Sequence, residues 1–215
     1  MTAATGVMPH AEHDGGLAET HRRGISNPIL GMILFICSEV MFFAGLFAAY
    51  FSVRANSSVW PPSKEQVGDN AEKFNLHAEP WFAAALTIVL VASSFTCQLG
   101  VWAIRRGDRK GLVRAIGVTL VLGITFLLGQ AFDYSQLGFG LADGTFGTTF
   151  YTLTGFHGAH VFAGTIMLSV VLYRSMGGQF SARHHDAVEA TSLYWHFVDV
   201  VWIALFSILY ILPSH

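Results

Sequence analysis

Hydrophobic residues in this chain fall into five long runs, at about 29–53, 80–104, 112–137, 146–173 and 190–212, separated by short stretches of charge and turn residues. About 20 apolar residues suffice to cross a bilayer as one helix, so each run predicts a membrane-spanning helix with some tilt. The expected fold is therefore all-α, a polytopic membrane bundle of five transmembrane helices over 28–215. Ahead of it lies a polar tail, 1–27, containing His and Gly and expected to be flexible or to lie on the surface. Arg22-Arg23 in that tail invites a twin-arginine export reading. The first apolar run, however, is longer than a signal-peptide core and ends without an A-x-A pattern, which favours a retained span. No internal repeat stands out, so an inverted-repeat transporter gains no support.

Composition agrees: 53% of residues are hydrophobic, 12% are charged, and mean hydropathy is +0.49, too apolar for an ordinary soluble domain. A net charge of -2 spread over loops leaves no basic face of the kind nucleic-acid binding requires. Cys37 and Cys97 each sit inside an apolar run, where a thiol behaves as a small hydrophobe. The basic residues set an orientation. Arg22, Arg23, Arg105, Arg106, Arg109, Lys110, Arg114, Arg174 and Arg183 fall on one side, against Arg54, Lys64 and Lys73 on the other. The positive-inside rule places the N-terminus in the cytoplasm, and five spans then leave the C-terminus outside. The 54–79 loop, with "WPP" at 60–62, would lie on the outer face, its Trp60 at the interface.

Several ionisable residues lie at membrane depth, where each costs on the order of 2.5 to 3.5 kcal/mol by insertion scales and needs a reason. Glu39, in "ICSEVMFFAGLF", has no cation nearby in sequence. Either its carboxyl stays protonated or it meets a donor from another helix or a lipid. An interhelical hydrogen bond and a proton or ligand site both remain open. In "GFHGAHVFAGT", His157 and His160 stand at i and i+3 on one helix face, flanked by Gly155, Gly158 and Gly164. Two histidines do not make a metal site, and small neighbours favour close helix packing with hydrogen bonding. His196 and Asp199 are i, i+3 neighbours that can partly neutralise one another, with Glu189 about two turns earlier on a similar face. Asp133, beside Gln130 and Tyr134, lies near the outer end of the third run, where a structural or lipid-facing role is expected. "RRGDRKG" reads as a topogenic turn that can also meet anionic headgroups, and Arg174 can snorkel to hold a lipid phosphate. No metal cluster, nucleophile with base, or phosphate loop is recognisable, so no catalytic or metal-binding residue is assigned.

Taken in order, "SEVMFFAGLF", "WPP", "GDRK", "GQAFDY", "GFHGAHVFAGT" and "YWHFVDVVW" resemble subunit III of the haem-copper terminal oxidases across about 31–212. "GFHGAH" and "YWHFVDVVW" have similar forms in quinol oxidases, whereas "SEVMFF" and "WPP" look more like the cytochrome c oxidase branch. The long form of that subunit has seven spans; this chain resembles the short bacterial form, which begins at the third. The resemblance implies an accessory subunit of an aa3-type cytochrome c oxidase of the bacterial plasma membrane, taking part in aerobic electron transport. Such a subunit has no redox centre of its own, the haem and copper lying in subunits I and II. It binds the side of subunit I, alongside subunit II and small subunits, supports proton uptake and encloses phospholipid. A bc-type complex is a further conceivable supercomplex partner.

Residue by residue, the resemblance makes Glu39 the family's buried carboxylate, acting in proton supply or only in packing, and Arg174 a lipid-headgroup arginine. Glu189, His196 and Asp199 match polar positions of the last span, and His157 and His160 match the histidine pair. Asp133 stands where the long forms commonly have Glu. Without the first two spans of the long form, lipid binding would be looser or completed by another subunit. The competing readings are a quinol oxidase subunit, a subunit III-like protein of a nitric oxide reductase and, more remotely, a free-standing proton-coupled transporter.

Overall fold

A computed structural model describes residues 26–57, 60 and 81–212, and within them the regular structure is helical throughout. The predicted tail therefore lies outside the described residues up to position 25, as does most of the loop that follows the first span, including Pro61 and Pro62. The helices are α1 (Asn27–Ala55), α2 (Trp81–Arg105), α3 (Arg109–Gln136), α4 (Gly144–Met176) and α5 (Asp186–Phe206). The last runs on into one turn of π-helix, Ser207–Ile211. All five are long and apolar enough to cross a membrane, and the chain is a multi-pass membrane protein.

The ends of the helices follow from local chemistry. Proline in the first turn of α1 replaces an amide that has no intrahelical acceptor. Between α2 and α3 the chain reverses within a few residues. Gly107 takes φ +79°, a conformation glycine adopts without strain, and the Asp108 carboxylate caps α3 by accepting from Gly111 N at 2.9 Å. α5 begins at Asp186, earlier than the apolar run suggests, because Asp186 and Glu189 in its first turn suit the positive end of the helix dipole.

Four helices close into a ring: α2 packs on α3, α3 on α4, α4 on α5 and α5 back on α2. α1 stands outside this ring, against α5 and α4. The ring's centre is built around indoles. Trp195, 1% exposed, lies across Gly123 of α3 and Gly164 of α4. A β-carbon at those two positions would come within 2.6 and 2.8 Å of the ring, so only glycine admits it. Trp202 meets Phe126 edge-on with centroids 4.8 Å apart. α1, by contrast, buries only Phe43, Tyr50 and Arg54 and presents Leu34, Met41 and Phe51 outward. Lipid can cover such a surface as well as protein can. Trp60 is turned inward, 3% exposed, with its indole donating to Tyr50 Oη at 3.1 Å and its ring 5.0 Å from that of Phe146.

Candidate functional site: polar contacts inside the bundle

Glu39 of α1 meets His160 of α4, Oε2 to Nε2 at 3.0 Å, with both side chains mostly covered. The other ring nitrogen, Nδ1, lies 2.7 Å from Phe156 O. A carbonyl only accepts, so Nδ1 carries a proton. The contact at Nε2 then holds one further proton, carried either by the carboxyl, which donates to a neutral ring, or by an imidazolium, which donates to a carboxylate. In both forms the pair is neutral overall, which is how it can lie at membrane depth. The Phe43 ring sits 5.0 Å from that of His160, and Tyr194 Oη donates to His160 O at 3.1 Å, which fixes the local backbone from α5.

His157, three residues before His160, faces the interior of the ring. Its imidazole stacks on Trp202 with centroids 4.9 Å apart and meets Phe126 edge-on at 5.9 Å. The two histidines thus share a helix face only loosely, one serving the α1 contact and the other the core. Of the flanking glycines, Gly164 admits Trp195 and Gly158 lies against Gln130, whereas Gly155 has open space beside it.

The longest polar series joins α2 to α5, whose directions are opposed, so residue numbers fall on one as they rise on the other. Trp202 Nε1 donates to Thr87 Oγ1 and Trp195 Nε1 to Ser93 Oγ, each at 2.9 Å. These hydroxyls donate in turn to backbone oxygens of their own helix, Ala83 O at 2.8 Å and Leu90 O at 2.6 Å, leaving lone pairs for the indoles. His196 Nε2 lies 3.2 Å from Gln98 Oε1. Asp199, 7% exposed, stands beside Ser94. At the basic end Glu189 Oε1 accepts from Arg105 Nη2 at 2.8 Å and lies 3.1 Å from His185 Nε2.

His196 and Asp199 interact electrostatically along α5, as their i, i+3 spacing predicts, while His196 and Glu189 also reach across to Gln98 and Arg105 of α2. Sequence reading missed Thr87, Ser93, Ser94 and Gln98. The signal available was their spacing on α2 opposite two tryptophans seven positions apart on α5.

Asp133 is half-buried near the far end of α3, and its side chain makes no hydrogen bond to a described residue. Its neighbours form a network of their own: Gln130 Nε2 donates to Thr154 O and to Tyr134 Oη, both at 3.3 Å, and Tyr134 Oη donates to Thr154 Oγ1 at 2.7 Å. Arg174 ends α4 with Nε donating to Gln179 Oε1 at 2.9 Å and its guanidinium 4.9 Å above the Phe180 ring. Among the described residues no three His, Cys, Asp or Glu side chains converge as a metal site would require.

The family model described as cytochrome c oxidase subunit III matches residues 6–214. The chain belongs to the cytochrome c oxidase subunit III family. Among its relatives, the probable cytochrome c oxidase subunit 3 of Mycobacterium leprae is 43% identical over 218 residues, covering 98% of both chains. The cytochrome c oxidase subunit 3 of Synechocystis sp. is 40% identical over 213 residues, 99% of this chain and 87% of the relative. That of Thermostichus vulcanus is 40% identical over 185 residues, 86% and 87% of the two chains. Every polar contact described above lies inside the family match, and so do all the membrane spans.

Proposed function

We propose that the chain is the accessory subunit III of an aa3-type cytochrome c oxidase in the plasma membrane of an aerobic bacterium, with its N-terminus in the cytoplasm and its C-terminus outside. It carries no redox centre and associates with subunit I along one side of the bundle, in a complex that includes subunit II and small subunits. Haem and copper belong to those partners. The observation that carries this reading is the family match over 6–214, supported by relatives named as cytochrome c oxidase subunit 3. A second support is chemical, since Glu39, His160 and His196 at membrane depth are engaged in joining helices. Glu39 with His160, and His196 with Gln98, have the character of assembly contacts rather than of a reacting centre.

Two finer assignments belong to the same proposal. Arg174 holds an anionic phospholipid headgroup: its Nε is committed to Gln179, and its two terminal nitrogens remain to meet a phosphate at the basic end. Glu39 supports proton uptake by subunit I indirectly, by keeping α1 on the bundle. The whole reading is tested by purifying the complex through a tag on this chain in mild detergent. A haem-bearing subunit with two haem a groups and a copper-bearing subunit II should accompany it, and a bc-type complex would indicate a supercomplex. Recovery of the chain alone, with a quinol oxidase, or with a nitric oxide reductase would overturn the assignment.

A further inference from the structure

The α3–α4 interface holds two buried side chains whose polar atoms are left over by the contacts around them. His157 is 0% exposed and Gln130 5%, and neither His157 nitrogen nor Gln130 Oε1 has a hydrogen-bond partner. Buried polar atoms of this kind are rare, because leaving one unpaired forfeits its hydration without replacement. Turning the carboxamide over does not help. Gln130 Nε2 already donates to Thr154 O and Tyr134 Oη, and a flip would set Oε1 against a carbonyl oxygen. The plane of the imidazole is set by stacking on Trp202 and the edge contact with Phe126.

The two groups occupy adjoining positions of one interface. Phe126, in contact with His157, is one turn before Gln130 on α3. Thr154, which accepts from Gln130, is one turn before His157 on α4. Gly158, next to His157, lies under Gln130, and a β-carbon there would be 3.4 Å from Oε1. The missing side chain at 158 leaves space beside that oxygen.

We propose that Gln130 Oε1 and His157 bind one internal water molecule between α3 and α4. The water donates one proton to Oε1 and bonds a ring nitrogen of His157, accepting from N–H or donating to the lone pair according to tautomer. Trp202 and Phe126 wall the site with apolar surface, which limits it to a single molecule rather than a chain. A metal ion is a poorer occupant, for no third ligating side chain converges there among the described residues. Bound water of this sort serves as a structural part, satisfying polar atoms of Gln130 and His157 in the middle of the ring.

The test is a map of the assembled complex, purified through this chain, at a resolution where other internal waters are seen. The expected result is a peak within hydrogen-bond reach, about 3.2 Å or less, of both Gln130 Oε1 and a His157 nitrogen. In His157→Phe, whose ring keeps the stacking on Trp202, that peak should fall to noise while the fold is unchanged. No peak in the unaltered complex, or a peak that survives His157→Phe, overturns the proposal. If the variant fails to assemble, the unaltered map alone decides.

Discussion

Removing the Glu39 carboxylate should loosen α1 from the bundle. Apart from this contact, α1 buries only Phe43, Tyr50 and Arg54 against the bundle. In Glu39→Ala, His160 Nε2 loses its partner while Nδ1 stays tied to Phe156 O, so one buried polar atom is stranded. Such a loss costs about 1–3 kcal/mol. Glu39→Gln is different, because the amide can donate to a neutral His160 just as a protonated carboxyl does, and it should cost only a few tenths to about 1 kcal/mol. The double variant Glu39→Ala, His160→Phe removes both partners and should be less destabilised than the two single changes added together. Thermal unfolding of the purified complex, read with the yield of assembled subunits and the duration of oxygen consumption, separates these cases. Gln and Ala variants that both match the unaltered complex in stability and turnover would refute the argument, since that would mean that the Glu39–His160 contact carries no energy.

Gly164→Ala should destabilise by about 1–3 kcal/mol through overpacking against Trp195, and circular dichroism melting of the complex would measure it. Trp195→Phe puts a smaller single ring in place of the indole, losing the donor to Ser93 and leaving a void beside Gly123 and Gly164, with an expected cost of about 2–4 kcal/mol by the same measurement. Arg105→Gln should matter little, under about 1 kcal/mol, because the arginine of the Arg105–Glu189 pair is 54% exposed and salt screens it; a melting curve at two salt concentrations checks this. Arg174→Ala should lower the anionic phospholipid that co-purifies after a delipidating wash, quantified by mass spectrometry, and unchanged lipid would remove Arg174 from that role.

The spans were legible because a bilayer demands long apolar runs, and each run here ends in turn chemistry such as Gly107-Asp108. What runs alone cannot convey is which face of one helix meets which face of another. Glu39 was recognisable as an anomaly, yet its partner lies on a helix made much later in the chain. The α2–α5 series escaped notice for the same reason: Thr87, Ser93 and Gln98 read as ordinary small or polar residues until Trp202, Trp195 and His196 are set opposite them. His157 and His160 looked like a pair, and only the helix neighbours on either side reveal that they serve different contacts.

The separation of 121 residues between Glu39 and His160 also has a meaning in time. α1 enters the membrane before α4 exists, and at 5–20 residues per second His160 is synthesised about 6–24 s after Glu39. Through that interval the carboxyl is held by the hydrophobicity of its own helix alone, against a cost on the order of 2.5 to 3.5 kcal/mol. The outward-facing Leu34, Met41 and Phe51 of α1, which contribute little to the finished bundle, thus help to keep the helix in place until its partner arrives. Polar substitutions at Leu34, Met41 or Phe51 should therefore show up as failed insertion, with little effect on the packing of the five helices in whatever does insert.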